Sequence, residues 1–115
     1  MNAKVYTNIN QSKILSAILP LESADMFYFC SPFDEEHFKN PRFVVAEHNT
    51  DEIPCWSLAA LMSVIKGKLC HYDGSYYCQF IEEGEDFPIY STSEYDNPID
   101  CCVELIIELN KRGLL

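Results

Sequence analysis

The chain has 115 residues, 48% of them apolar and 13% aromatic, which suits a single domain and excludes a disordered or low-complexity protein. Its 18 acidic residues outweigh 8 basic ones to give a formal charge of −10, with no basic patch for phosphates or an anionic bilayer, so neither direct nucleic-acid binding nor membrane binding is expected. The N-terminal run Met1-Asn2-Ala3-Lys4-Val5-Tyr6-Thr7-Asn8 lacks the apolar h-region of a signal peptide or anchor, which makes the cytoplasm the expected location.

The first expected element is a helix over 11–19. Thr7, Asn8 and Asn10 are candidate N-caps, and Ile14, Leu15, Ile18 and Leu19 fall on one apolar face. Pro20 disfavours helical geometry at Leu19 and ends it. The aromatic run Met26-Phe27-Tyr28-Phe29-Cys30 is either a short buried strand or a further helical turn begun at Ser23. Residues 33–41 read as a charged loop or a single turn. The β-branched stretch 42–47 reads as a strand, and 48–52 as a polar connector.

A second helix is expected over 54–66, with Pro54 in its first turn and Gly67 as a left-handed C-terminal cap. From Trp56 to Ile65 the only polar residues are Ser57 and Ser63, so this helix should be covered on most sides. It is too short for a membrane span, which takes about 20 apolar residues.

Asp73-Gly74 between two aromatic-rich runs predicts a hairpin over 68–81. Pairing Tyr72 with Ser75 puts Leu69, His71, Tyr76, Cys78 and Phe80 on the core face, with Cys70, Tyr72, Tyr77 and Gln79 on the other. Residues 82–86 form the next turn, and 87–90 a possible edge strand, where Pro88 is tolerated. The last helix, 98–112, has Asn97 as N-cap, Pro98 in its first turn and Gly113 at its end. Its apolar stripe is Ile99, Cys102, Val103, Ile106 and Leu109. The expected fold is a single α+β domain over 1–115: a small antiparallel sheet (hairpin 68–81 plus one or two further strands) packed by about three helices (11–19, 54–66, 98–112).

Six cysteines stand at positions 30, 55, 70, 78, 101 and 102. Small disulfide frameworks belong to secreted chains, so reduced thiols are expected. Cys55 at a helix N-terminus, followed by Trp56, is a candidate nucleophile with His71 as its nearest downstream histidine. The rest of a papain-type pattern is missing, and about 20 Å of helix would separate the two. Cys70, His71 and Cys78 are candidate zinc ligands, but their spacing is not that of a zinc site and alternation puts Cys70 and Cys78 on opposite faces. Adjacent helix positions are expected to keep Cys101 and Cys102 from facing one metal, so no cofactor or metal is expected.

The acid gathers at Asp34-Glu35-Glu36, Asp51-Glu52 and Glu82-Glu83-Gly84-Glu85-Asp86. Such runs are solvated loops, or else a surface that draws a basic partner. Glu82, Glu83, Glu85 and Asp86 are therefore candidate interaction residues, together with Tyr72 and Tyr77, since tyrosine suits interfaces.

Three segments, Leu19-Pro20-Leu21-Glu22-Ser23-Ala24-Asp25-Met26, Ile53-Pro54-Cys55-Trp56-Ser57-Leu58-Ala59-Ala60-Leu61 and Tyr95-Asp96-Asn97-Pro98-Ile99-Asp100, give the chain a likeness to a known group. It resembles a family of small uncharacterised proteins of gut Bacteroides-type bacteria and their phages or mobile elements. The resemblance implies a bacterial or phage cytoplasmic setting and carries over no catalytic residue. The expected function is non-enzymatic, through contact with a protein partner, a basic nucleic-acid-binding protein being one candidate. The alternatives are a small thiol enzyme using Cys55 and a zinc-stabilised domain.

Overall fold

The computed structural model describes residues 4–29, 42–43 and 52–115. Its elements are α1 (Ile9–Ser16), a 3₁₀ turn (Leu21–Ser23), β1 (Met26–Phe29), β2 (Arg42–Phe43), β3 (Glu52–Cys55), α2 (Leu58–Val64), β4 (Lys68–Tyr72), β5 (Ser75–Phe80), β6 (Tyr90–Ser91) and α3 (Pro98–Lys111). The class is α+β, but the strands form two antiparallel sheets, β2-β1-β3 and β4-β5-β6, where one was expected. The expected features at Cys30, 33–41, 44–47 and 48–51 lie outside the described residues. No helix among the described residues is long and apolar enough to cross a membrane.

Asn8 caps α1 through a capping box: its side chain accepts from Gln11 N, and the Gln11 side chain accepts from Asn8 N. The helix thus starts ahead of residue 11 and stops at Ser16, short of the expected 19. Leu15 is buried while Ile14 is exposed, because β3 and α3 cover the face of α1 that carries Leu15; Leu19, beyond the helix end, is buried in the main core. The aromatic run is a strand, paired along β3 from Met26↔Cys55 to Phe29↔Glu52.

That pairing overturns the expected start of the second helix. Pro54 and Cys55 are extended in β3, opposite Phe27 and Met26, and among the described residues β3 is an edge strand, which can hold a residue without an N–H. The following residues are held extended by the N-terminal segment, through Thr7 N to Trp56 O (2.9 Å) and Leu58 N to Val5 O (3.2 Å). Helix α2 then starts at Leu58, with Ser57 as its cap accepting from Ala60 N. Ser57 is itself fixed by Asp25, one carboxylate oxygen taking its backbone N–H at 2.9 Å and the other its hydroxyl.

The far end differs as well. Val64 is the last residue of α2, Ile65 is extended, and Gly67 is not left-handed. Nor is α2 covered on most sides: Ala60 and Leu61 are buried, whereas Ala59, Met62 and Ser63 face out.

The hairpin has the expected register, with Tyr72↔Ser75 closed by Asp73 (φ 50°) and Gly74 (φ 79°). Cys78 is buried, and Leu69, Tyr76 and Phe80 pack on the main core beside it, whereas His71 is exposed at the end of that face. The third strand is Tyr90–Ser91, opposite Phe80 and Gln79, so it begins where the expected strand 87–90 ends.

Helix α3 is the centre of the fold, against β5, α2 and α1. Asn97 caps it by accepting from Asp100 N, and Gly113 (φ 69°) follows its last turn. The expected stripe is buried, and so are Cys101 and Leu105, because sheet and helices cover α3 from more than one side. A second, smaller cluster of Met26, Tyr28 and Cys55 lies beneath the first sheet.

Candidate functional site

Strand β5 leaves the core at Phe80, and residues 81–89 turn back to reach β6. Ile89 N donates to Phe80 O at 2.8 Å at the base of this connection, and Glu85 N to Glu82 O at 3.0 Å in its bend. Gly84 sits there at φ 86°, a conformation that costs a side chain energy. The bend exposes Glu82, Glu83, Glu85 and Asp86, where mutual repulsion favours solvent. Apolar side chains are exposed with them: Phe87 at 81%, Ile89 at 42% and Ile81 at 38%.

Tyr72 and Tyr77 stand apart from this group. Tyr72 is 73% exposed at the hairpin tip. Tyr77 is half-buried opposite Cys70, on the sheet face turned away from α3. The two tyrosines share that outer face, but the acidic bend follows the other end of β5. The expected interaction residues therefore form two regions. Phe87, Ile81 and Ile89 sit around the acidic bend already in the sequence, but that all three are exposed beside it is decided by the fold.

The residues proposed for thiol catalysis are not brought together. Cys55 ends β3 and is fully buried, so no helix N-terminus activates it. Its sulfur lies 3.5 Å from Thr7 Oγ1 and 3.4 Å from Thr7 O, and Thr7 Oγ1 is 2.8 Å from Ser12 Oγ. Burial pushes its thiol up against the opposing hydrogen bonds of Thr7, Ser12 and Tyr28, which favours the protonated form over the thiolate a nucleophile needs. His71 lies exposed in the other sheet, its ring stacked on Tyr76 at 4.4 Å.

Cys70 and Cys78, candidate zinc ligands with His71, stand on opposite faces of the hairpin, as strand alternation predicts. The expectation that Cys101 and Cys102 could not face one point is overturned. Both are buried, and their sulfurs lie with that of Cys78 within 4.8 Å of one another. The α3 backbone is covered on both sides at this level, so neighbouring side chains both point into protein. The five described cysteines, 55, 70, 78, 101 and 102, are free thiols.

No protein-family model, curated protein or solved structure matches this chain.

Along α3 runs an open cleft of about 440 Å³ lined by Lys4, Gln11, Tyr95, Asp100, Glu104 and Lys111 among others. Its carboxylates are already engaged. Asp100 accepts from Lys4 Nζ, Gln11 Nε2 and Asn97 Nδ2, each at 2.7 Å. Glu104 accepts from the Tyr90 and Tyr95 hydroxyls at 2.6 Å and from Ser93 N at 3.1 Å, which ties β6 and the segment after it to α3.

Partial burial works against the charge on both acids, but the donors outweigh it and hold both below the usual carboxylate range. The hydrogen bond to Glu104, with lesser help from burial, pushes Tyr90 and Tyr95 up to about 12. Depressed acids stabilise the fold above their unfolded values near ~4 and lose that contribution as pH falls through the folded values. Raised phenols contribute below ~10 and lose it as pH climbs toward 12. Urea midpoints are therefore expected to decline at both extremes, with the alkaline decline weakened in Glu104→Gln. An alkaline limb identical in the variant would contradict this.

Proposed function

We propose that the protein is a small acidic interaction module whose 81–89 connection receives a basic, amphipathic segment of a protein partner. The observation that supports this reading is the juxtaposition of exposed Phe87, Ile81 and Ile89 with four exposed carboxylates on one short connection. An exposed aromatic is a natural interface anchor once a partner desolvates it, and carboxylates around it select lysine and arginine. A basic nucleic-acid-binding protein has that chemistry. The sequence resemblance to proteins of gut bacteria and their phages supports a bacterial or phage setting.

The test uses the full chain as bait in host-cell lysate, beside Phe87→Ala and a neutralised variant carrying Glu82→Gln, Glu83→Gln, Glu85→Gln and Asp86→Asn. All five side chains are exposed, and equal thermal midpoints would verify that folding is preserved. One basic protein should be held by the parent, lost from both variants, and released as salt shortens the Debye length from about 10 to about 3 Å. A partner held equally by all three baits, or retained at 1 M salt, sinks the proposal.

A further inference from the structure

Cys78 comes from β5, and Cys101 and Cys102 from the first turns of α3, so their sulfurs meet where sheet and helix pack. Cys78 Sγ is 3.6 Å from Cys101 Sγ and 3.8 Å from Cys102 Sγ, and no pair in the trio exceeds 4.8 Å. The point equidistant from all three therefore lies about 2.4 Å or less from each, close to the ~2.3 Å of a zinc–thiolate bond. We propose that these three cysteines form a binding site for a soft closed-shell cation, zinc or monovalent copper.

Thiolate sulfur is the donor that both ions prefer. The frame is preset for them. Cys78 is locked in its strand by its own N–H on Thr92 Oγ1 and by Thr92 N on Cys78 O, both at 2.9 Å. The other two sulfurs are fixed by one helix, whose N-terminal turns place a positive dipole end beside the charge that thiolates would bring. Each cysteine is fully buried, so water does not compete for the ion, and binding would add a cross-link between β5 and α3. Three thiolates leave a net charge of −1 around zinc and −2 around copper. This site is separate from the 81–89 connection and does not depend on the interaction proposed for it.

The experiment starts from reduced, metal-free, untagged protein under argon. One portion receives zinc, with cobalt as its spectroscopic substitute, and another receives monovalent copper against a chromogenic copper chelator. The expected result is one ion per chain in at least one arm, a sulfur-to-metal charge-transfer band, and a higher thermal midpoint. Cys101→Ala should weaken that binding by at least about 100-fold, beyond the ~10–100-fold typical of a lost supporting residue. Cys70→Ser, on the opposite face of the hairpin, should bind as the parent does.

Should Cys101→Ala fail to fold, labelling the parent with a thiol reagent decides instead. Bound ion should slow modification of Cys78, Cys101 and Cys102 by tenfold or more and leave Cys70 unchanged. No uptake in either arm overturns the site. So does protection confined to Cys70, or oxidation of two of the three thiols to a disulfide by air without any metal uptake.

Discussion

Trp56→Ala is expected to lower the unfolding free energy by about 3–5 kcal/mol, the range for truncating a fully buried large side chain. Domains of this size are stable by only about 5–15 kcal/mol, so much of the margin would go. Trp56 is the chain's single tryptophan and is completely buried in the main core. Its indole N–H donates to Ser23 Oγ at 2.9 Å, and Ser23 Oγ donates to Pro20 O at 2.6 Å. The side chain thereby ties the turn before β1 to the entry of α2, while its backbone pairs with Thr7. Trp56→Phe keeps most of the burial and loses the hydrogen bond, so its cost should be clearly smaller. Urea unfolding followed by circular dichroism measures both. A Trp56→Ala midpoint within error of the parent would show that the core closes over the loss and that Trp56 does not anchor it.

Gly67→Ala is the second large expected effect, about 1–3 kcal/mol, the cost of overpacking. A β-carbon there would lie 2.6 Å from Gln79 O and 2.9 Å from Leu105 Cδ2. The carbonyl belongs to β5 and is not a flexible group that can swing away. Relief would require the start of β4 to lift from its partner, where Lys68 pairs with Gln79, or Leu105 to leave the core. Positive φ plays no part, because Gly67 lacks it. Thermal unfolding of Gly67→Ala should reveal the loss. An unchanged midpoint would mean that the hairpin and α3 are not in close contact at this position.

Gly67 and Pro54 depart from the roles their sequence positions suggest. Proline before and glycine after an apolar run normally mark helix ends, and Pro54 and Gly67 were placed to do so. Pro54 instead belongs to an edge strand, and Gly67 is present for close approach of backbone to backbone. Both requirements come from residues distant in the chain, Phe27 for one and Gln79 with Leu105 for the other. The weight of the core shifted for the same reason. The run from Trp56 is the more uniformly apolar, yet α3 is the helix enclosed by sheet and helices.

The candidate sites divide along the same line. The acidic bend was legible because solvated charge declares itself locally, and so was the separation of Cys70 from Cys78, because alternation along a strand is local. The cysteine trio was not. Cys78 precedes Cys101 by 23 residues. Only the packing of β5 on α3 brings their sulfurs together, and only enclosure of α3 on more than one side turns Cys101 and Cys102 inward as neighbours.

By itself, then, the sequence determined what short-range chemistry controls. Asn97 and Pro98 start α3, Gly113 follows its end, and Asp73-Gly74 closes the hairpin in one register. The net charge of −10 is likewise a property of composition. The tertiary structure decided the split into two sheets, the late start of α2 at Leu58 and the meeting of three thiols. Each of these depends on burying surface between segments far apart in the chain, an energy that no local window of residues contains.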